Sequence, residues 1–140
     1  MKNSLDDTTQ SDIDIVCVKN DGNNASYFDK RSVDLTGSRD RMLSEQIPAL
    51  NFRLRTSDTT YSSDWHVAGD PTLLIVLSGS IEIELRNGEK KQFNQGEMFI
   101  AQDYLANGVI YDKKTHGHRA QVIGNDALQV LHLKLSKQIQ

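Results

Sequence analysis

The segment TLLIVLSGSIEIELRNGEKKQF, from Thr72 to Phe93, constrains the fold more than any other part of the chain. Its first half is aliphatic and β-branched, the side chains that suit a pleated surface. Its second half alternates, with Ile81, Ile83 and Leu85 on one side and Glu82 and Glu84 on the other. Asn87–Gly88 then supplies the backbone freedom of a tight turn, so the spacing predicts a hairpin that returns through Phe93. Other short runs follow the same pattern: IDIVCV at 13–18, NFRLRT at 51–56, GEMFIA at 96–101, HRAQVI at 118–123 and ALQVLHLKL at 127–135. They are separated by turn-forming clusters such as NDGNNAS and GND. DRMLSEQIPAL, at 40–50, offers one helical turn before Pro48 interferes, and no long amphipathic helix appears. Many short strands with turn signals between them imply an all-β antiparallel sandwich or barrel. The expected sheet-packing residues are Leu74, Ile75, Leu77, Ile81, Ile83, Phe93, Phe99, Ile100, Val122, Leu131 and Leu133.

At 140 residues the chain suits a single domain, read as a flexible polar arm at 1–11 and one barrel domain at 12–140. A net charge of −3 with no dense Lys/Arg run argues against nucleic acid as a partner. The polar start and the lack of a long apolar run argue against secretion and membrane insertion, and a cytoplasmic location is expected. Cys17 is the sole cysteine, which removes an internal disulfide and any cysteine-cluster metal site. Its apolar neighbours predict a buried structural thiol.

WHVAGDPTLLIVLSGSIEIEL followed by NGEKKQFNQGEMFIAQD resembles the cupin superfamily. The spacing of LSG, NG and NQGEMF carries the resemblance. Together with DGNNASYFDKRSVDL, DWHVAG and GHRAQVIGND it is similar to a group of small single-domain cupins, mostly of unassigned function, over about residues 20–135. The resemblance implies a double-stranded antiparallel β-helix, the jelly-roll barrel, and a homodimer. It also implies where metal ligands would stand, and there the chain departs from the pattern. His66 keeps the first histidine, but Ala68 stands at the second histidine and Thr72 at the glutamate. In the second motif Gly96 matches, while Gln102, Tyr104 and Asn107 occupy the proline, glycine and histidine positions. If part of the following segment is an inserted loop, His118 takes the histidine role instead.

Three readings of the site follow. In the favoured one, no cofactor is required and the barrel is an acid–base enzyme, an isomerase, cyclase or lyase acting on a compact polar or carboxylated metabolite. His66 serves as base, Asp103 orients it, His118 is a second acid, and Arg53 binds substrate charge. Trp65 and Tyr104 complete the expected substrate contacts, although core or rim packing is the stronger reading of Trp65. In the second reading a divalent metal (Zn, Fe, Mn or Ni) is held by His66, His118 and His116. In the third the barrel is a ligand-binding sensor. The long segment 104–114 is a candidate lid, and His132 is expected on the surface beside Lys134.

Overall fold

The computed structural model describes residues 9–136. It contains ten strands: β1 (Thr9–Asn20), β2 (Ser26–Ser38), β3 (Arg41–Leu43), β4 (Ala49–Ser57), β5 (Thr72–Ser78), β6 (Ser80–Leu85), β7 (Lys90–Asn94), β8 (Met98–Gln102), β9 (His118–Ile123) and β10 (Leu128–Leu135). They form a seven-stranded sheet in the order β3-β2-β1-β8-β5-β10-β4 and a three-stranded sheet in the order β7-β6-β9. Bridges from Ser62 to Gln121 and from His66 to His118 lay the segment before β5 against β9, so this smaller sheet has a fourth, irregular member. The core order is therefore β4-β10-β5-β8 facing the 62–66 segment, β9, β6 and β7. That is the interleaved strand order of a jelly roll, and the all-β expectation holds.

The local chemistry explains the register. β6 buries Ile81, Ile83 and Leu85 and turns Glu82 and Glu84 outward, where Glu84 meets Arg119 at 2.7 Å in the directly paired position on β9. The hairpin to β7 closes through Gly88, whose N–H donates to the Leu85 carbonyl at 3.0 Å and whose φ is 91°. Gly79, with φ 80°, makes the sharp step from β5 in one sheet to β6 in the other. A Cβ there would stand 2.6 Å from the Ala127 carbonyl oxygen, so only glycine fits.

β5 reads as an unbroken apolar run because the sheet packs on both faces. Leu74 and Val76 join an inner cluster with Ile81, Phe93, Phe99 and Val122, while Leu73 packs outward with Ile15, Cys17, Ile100 and Leu135. Phe93 and Phe99 stack with centroids 4.4 Å apart and join the two sheets. Cys17 is buried as expected, and desolvation pushes its thiol up to about 11, which makes it inert.

Three expectations need correction. Residues 9–11 belong to β1, paired with β2 as far as Thr9 and Gly37; 1–8 lie outside the described residues. The stretch 40–50 holds β3 and extended chain, with no helical turn. Leu77 is 44% exposed, since it points outward near the end of β5, where no neighbouring side chain covers that face. The same outer face carries Leu50, Phe52 and Leu54 on the edge strand β4, all exposed. No helix of the described residues is long and apolar enough to cross a membrane.

The Phe93–Phe99 stack generates a direct prediction. Phe99→Ala removes a fully buried ring from the seam between the sheets and should cost about 3–5 kcal/mol in denaturant unfolding.

Candidate functional site

Two backbone hydrogen bonds bring the site histidines together. His66 N–H donates to the His118 carbonyl at 2.8 Å, and His118 N–H donates back to the His66 carbonyl at 2.9 Å. Directly opposed residues of an antiparallel pair project to the same side, and here the imidazole centroids lie 4.5 Å apart. Gly117 makes this approach achievable. Its φ is 87°, and a Cβ would sit 2.3 Å from the His66 carbonyl oxygen.

Asp103, immediately after β8, is 1% exposed and His118 is 4% exposed. The carboxylate accepts from His118 Nδ1 at 2.7 Å, from the Ser26 hydroxyl at 2.6 Å and from the Ala68 N–H at 2.9 Å. Burial by itself raises the Asp103 pKa; the hydrogen bond and charge of His118, with Ser26 and Ala68, outweigh it and hold the carboxyl below its ordinary value. Asp103 is thus ionised at neutral pH, fixes the His118 tautomer with the proton on Nδ1, and leaves Nε2 to act. The sequence reading paired Asp103 with His66. The structure pairs it with His118, whose Nδ1 lies 2.7 Å from the carboxylate, while His66 turns its Nδ1 to the Asp64 carbonyl.

His66 is anchored separately. Its Nδ1 lies 2.9 Å from the Asp64 carbonyl, an oxygen that only accepts, so Nδ1 carries the proton here too. Desolvation lowers the His66 pKa; the Asp64 carbonyl opposes that, while the neighbouring His118 adds to it. His66, itself exposed, lines one open cavity of about 240 Å³ with His118, Leu74, Phe99, Ala101, Arg55 and His132. It is an apolar chamber with a few convergent polar groups, the usual make-up of a small-molecule site.

Other expected site residues lie elsewhere. Trp65 does not line this cavity; the guanidiniums of Arg86 and Arg119 lie 3.9 Å and 4.8 Å from its ring centroid. Tyr104 lines a separate cavity with Asn20 and Gln102, past the point where the chain turns out of β8. His116 accepts the Asp112 N–H at Nδ1 and sits over Tyr111, so it is part of the loop's own scaffold. That loop is also held by Arg86, whose guanidinium donates to the carbonyls of Lys113 and His116. No residue of 104–117 lines the interior cavity.

His132 is the reverse case. His132 was expected on the surface, yet it faces the barrel interior, because the alternation of β10 puts Leu128, Val130, His132 and Lys134 on one side. The sequence signal was present in that spacing. The apolar neighbours Leu131 and Leu133 hid it, since they face the outer, equally apolar side.

The donors do not match an ordinary metal site. His66 and His118 are the imidazoles at motif positions, with His132 across the cavity; the other two positions of the motif are Ala68 and Thr72, and both oxygens of Asp103 are engaged. Among the described residues no group of three His, Cys, Asp or Glu side chains is arranged to hold a metal.

No protein-family model and no curated protein matches the chain. Among solved structures it is similar to protein NMB1881 from Neisseria meningitidis, with 18% identity over 66% of this chain and 84% of that one and a TM-score of 0.43. The conserved SPY1581 protein of unknown function from Streptococcus pyogenes matches at 17% identity over 73% and 80%, with a TM-score of 0.42. The cupin domain of Cnp3 from Schizosaccharomyces pombe matches at 10% identity over 92% and 83%, with a TM-score of 0.44. The jelly roll is carried by the strand order of the chain itself.

The lowered His66 pKa yields a signed expectation. A fold that prefers neutral His66 binds fewer protons than the unfolded chain, so the stability it confers is complete above 6.5 and is lost as pH falls from there towards the folded value. The His66 imidazole should titrate below 6.5 by NMR, and His66→Asn should flatten that part of the pH–stability profile.

Proposed function

We propose that the chain is a small-molecule-binding barrel that performs acid–base chemistry on a compact polar or carboxylated metabolite, an isomerase, cyclase or lyase type of reaction. The observation that carries this reading is the buried Asp103–His118 pair at 2.7 Å, opening through Nε2 onto an interior cavity shared with His66. An ionised carboxylate behind an imidazole fixes its tautomer and orientation, which is what a general base requires. His118 takes the proton from substrate. The same Nε2 of His118 gives the proton back to the substrate, while neutral His66, its Nδ1 proton bound to a backbone carbonyl, offers its Nε2 lone pair to a substrate hydroxyl.

A panel of small oxo- and hydroxy-acids incubated in D₂O tests the reaction. Deuterium should enter the carbon next to the carbonyl of at least one of them, and His118→Gln should slow that exchange by about 10²–10⁴-fold. Binding without exchange across the panel would replace this reading with the ligand-binding sensor.

Self-association fits the same chain. Leu50, Phe52 and Leu54 lie exposed on edge strand β4, whose outer backbone is unpaired, a combination that favours pairing with a second copy. Light scattering should give twice 15.7 kDa, and Phe52→Asp should return the monomer mass.

A further inference from the structure

The inward face of the β4–β10 edge carries more positive charge than the structure neutralises. Arg53 and Arg55 on β4 point to the same side as His132 and Lys134 on β10, and His132 pairs in register with Arg53. These four line a cavity of about 650 Å³ whose lining includes one carboxylate, Asp70. Lys134 already holds Asp70 at 3.3 Å. Arg55 has only neutral partners: its Nε donates to Ser57 Oγ at 3.0 Å and its guanidinium covers the Tyr61 ring at 4.3 Å. Arg53 has no acidic partner among the described residues. Two positive charges therefore stand uncompensated on one wall.

His132 supplies the second observation. Its Nε2 is buried and has no hydrogen-bond partner among the described residues. A buried polar nitrogen without a partner is costly unless something else satisfies it. The groups facing it are Arg53 and Arg55 from β4, Thr72 and Leu74 from β5, and Lys134 from its own strand. Burial lowers the His132 pKa, and Arg55 and Arg53 lower it further. An anion seated between the guanidiniums would reverse that electrostatic penalty and accept from Nε2.

We propose that Arg53, Arg55 and His132 form a subsite for a doubly charged oxyanion, the dicarboxylate or phosphate end of the metabolite. Two guanidiniums, that of Arg55 held by Ser57 and Tyr61, match a dianion in charge and in their forked donor geometry. The subsite opens into the interior cavity, since Arg55, His132 and Thr72 line both. A ligand anchored here by its charged end thus extends towards His66 and His118. This assignment rests on the reading of the barrel interior as the ligand site, and it narrows the substrate class to anionic metabolites.

Calorimetric titration of the full chain at low ionic strength and near-neutral pH tests it, with inorganic phosphate, malonate and acetate as probes. Phosphate or malonate should bind at least about 10-fold more tightly than acetate, and whichever of the two binds better identifies the charged group. Arg53→Gln and Arg55→Gln should each weaken that binding by about 10-fold or more, whereas Lys91→Gln, remote from the cavity, should not. The His132 titration midpoint should rise when the anion saturates the site. Arg55 also braces Tyr61, so if its variant fails to fold, Arg53→Gln decides. His118→Gln separates the two proposals: it should stop deuterium exchange and leave anion affinity intact. Absence of binding by phosphate and malonate up to about 10 mM, or equal affinity in wild type and Arg53→Gln, overturns the subsite.

Discussion

The carboxylate of Asp103 ties together parts of the chain that are distant in sequence. Ser26 at the start of β2, the Ala68 backbone after the irregular strand, and His118 at the start of β9 all donate to its two oxygens. A charge buried this deeply persists only with several good donors, because desolvation would otherwise protonate it. The donors are therefore as constrained as the acid. They hold the mouth of the barrel in one arrangement and set the tautomer of the histidine that faces the cavity.

Around that anchor the two ends of the interior differ in character. One end offers two imidazoles, each with its Nδ1 proton committed and its Nε2 turned to the cavity, in walls of leucine, phenylalanine and alanine. The other offers guanidiniums and a third imidazole whose Nε2 has no partner among the described residues. A ligand that spans the two would be held by charge at one end and exposed to proton transfer at the other. Such separation suits catalysis, because binding contacts remote from the reacting atoms can orient them without sharing their pKa constraints.

Strand after strand was legible before any coordinates. Glu82 and Glu84 between Ile81, Ile83 and Leu85 could face only one way, and Asn87–Gly88 left the chain little choice but to turn. The expected position of His66 at the barrel mouth was also legible from its motif. The partner of Asp103 was not, because a carboxylate at a strand end meets whichever imidazole the packing brings nearest, and His118 lies in direct contact. Trp65, Tyr104 and His116 were drawn to the site by sequence proximity to matched motifs. Adjacent residues on extended chain point to opposite sides, so nearness in sequence put Trp65 against Arg86 and Arg119 while the exposed His66 borders the cavity.

By itself the sequence determined that this chain would be an antiparallel β protein, which residues would alternate, and where its turns would fall, since these depend on local sterics and on period-two burial. Only the tertiary structure decided which side of each strand would become the interior. In a sheet apolar on both faces, hydrophobicity cannot choose between them, and His132 and Arg55 acquired their place in the cavity from the curvature and pairing of β10 with β4 and β5.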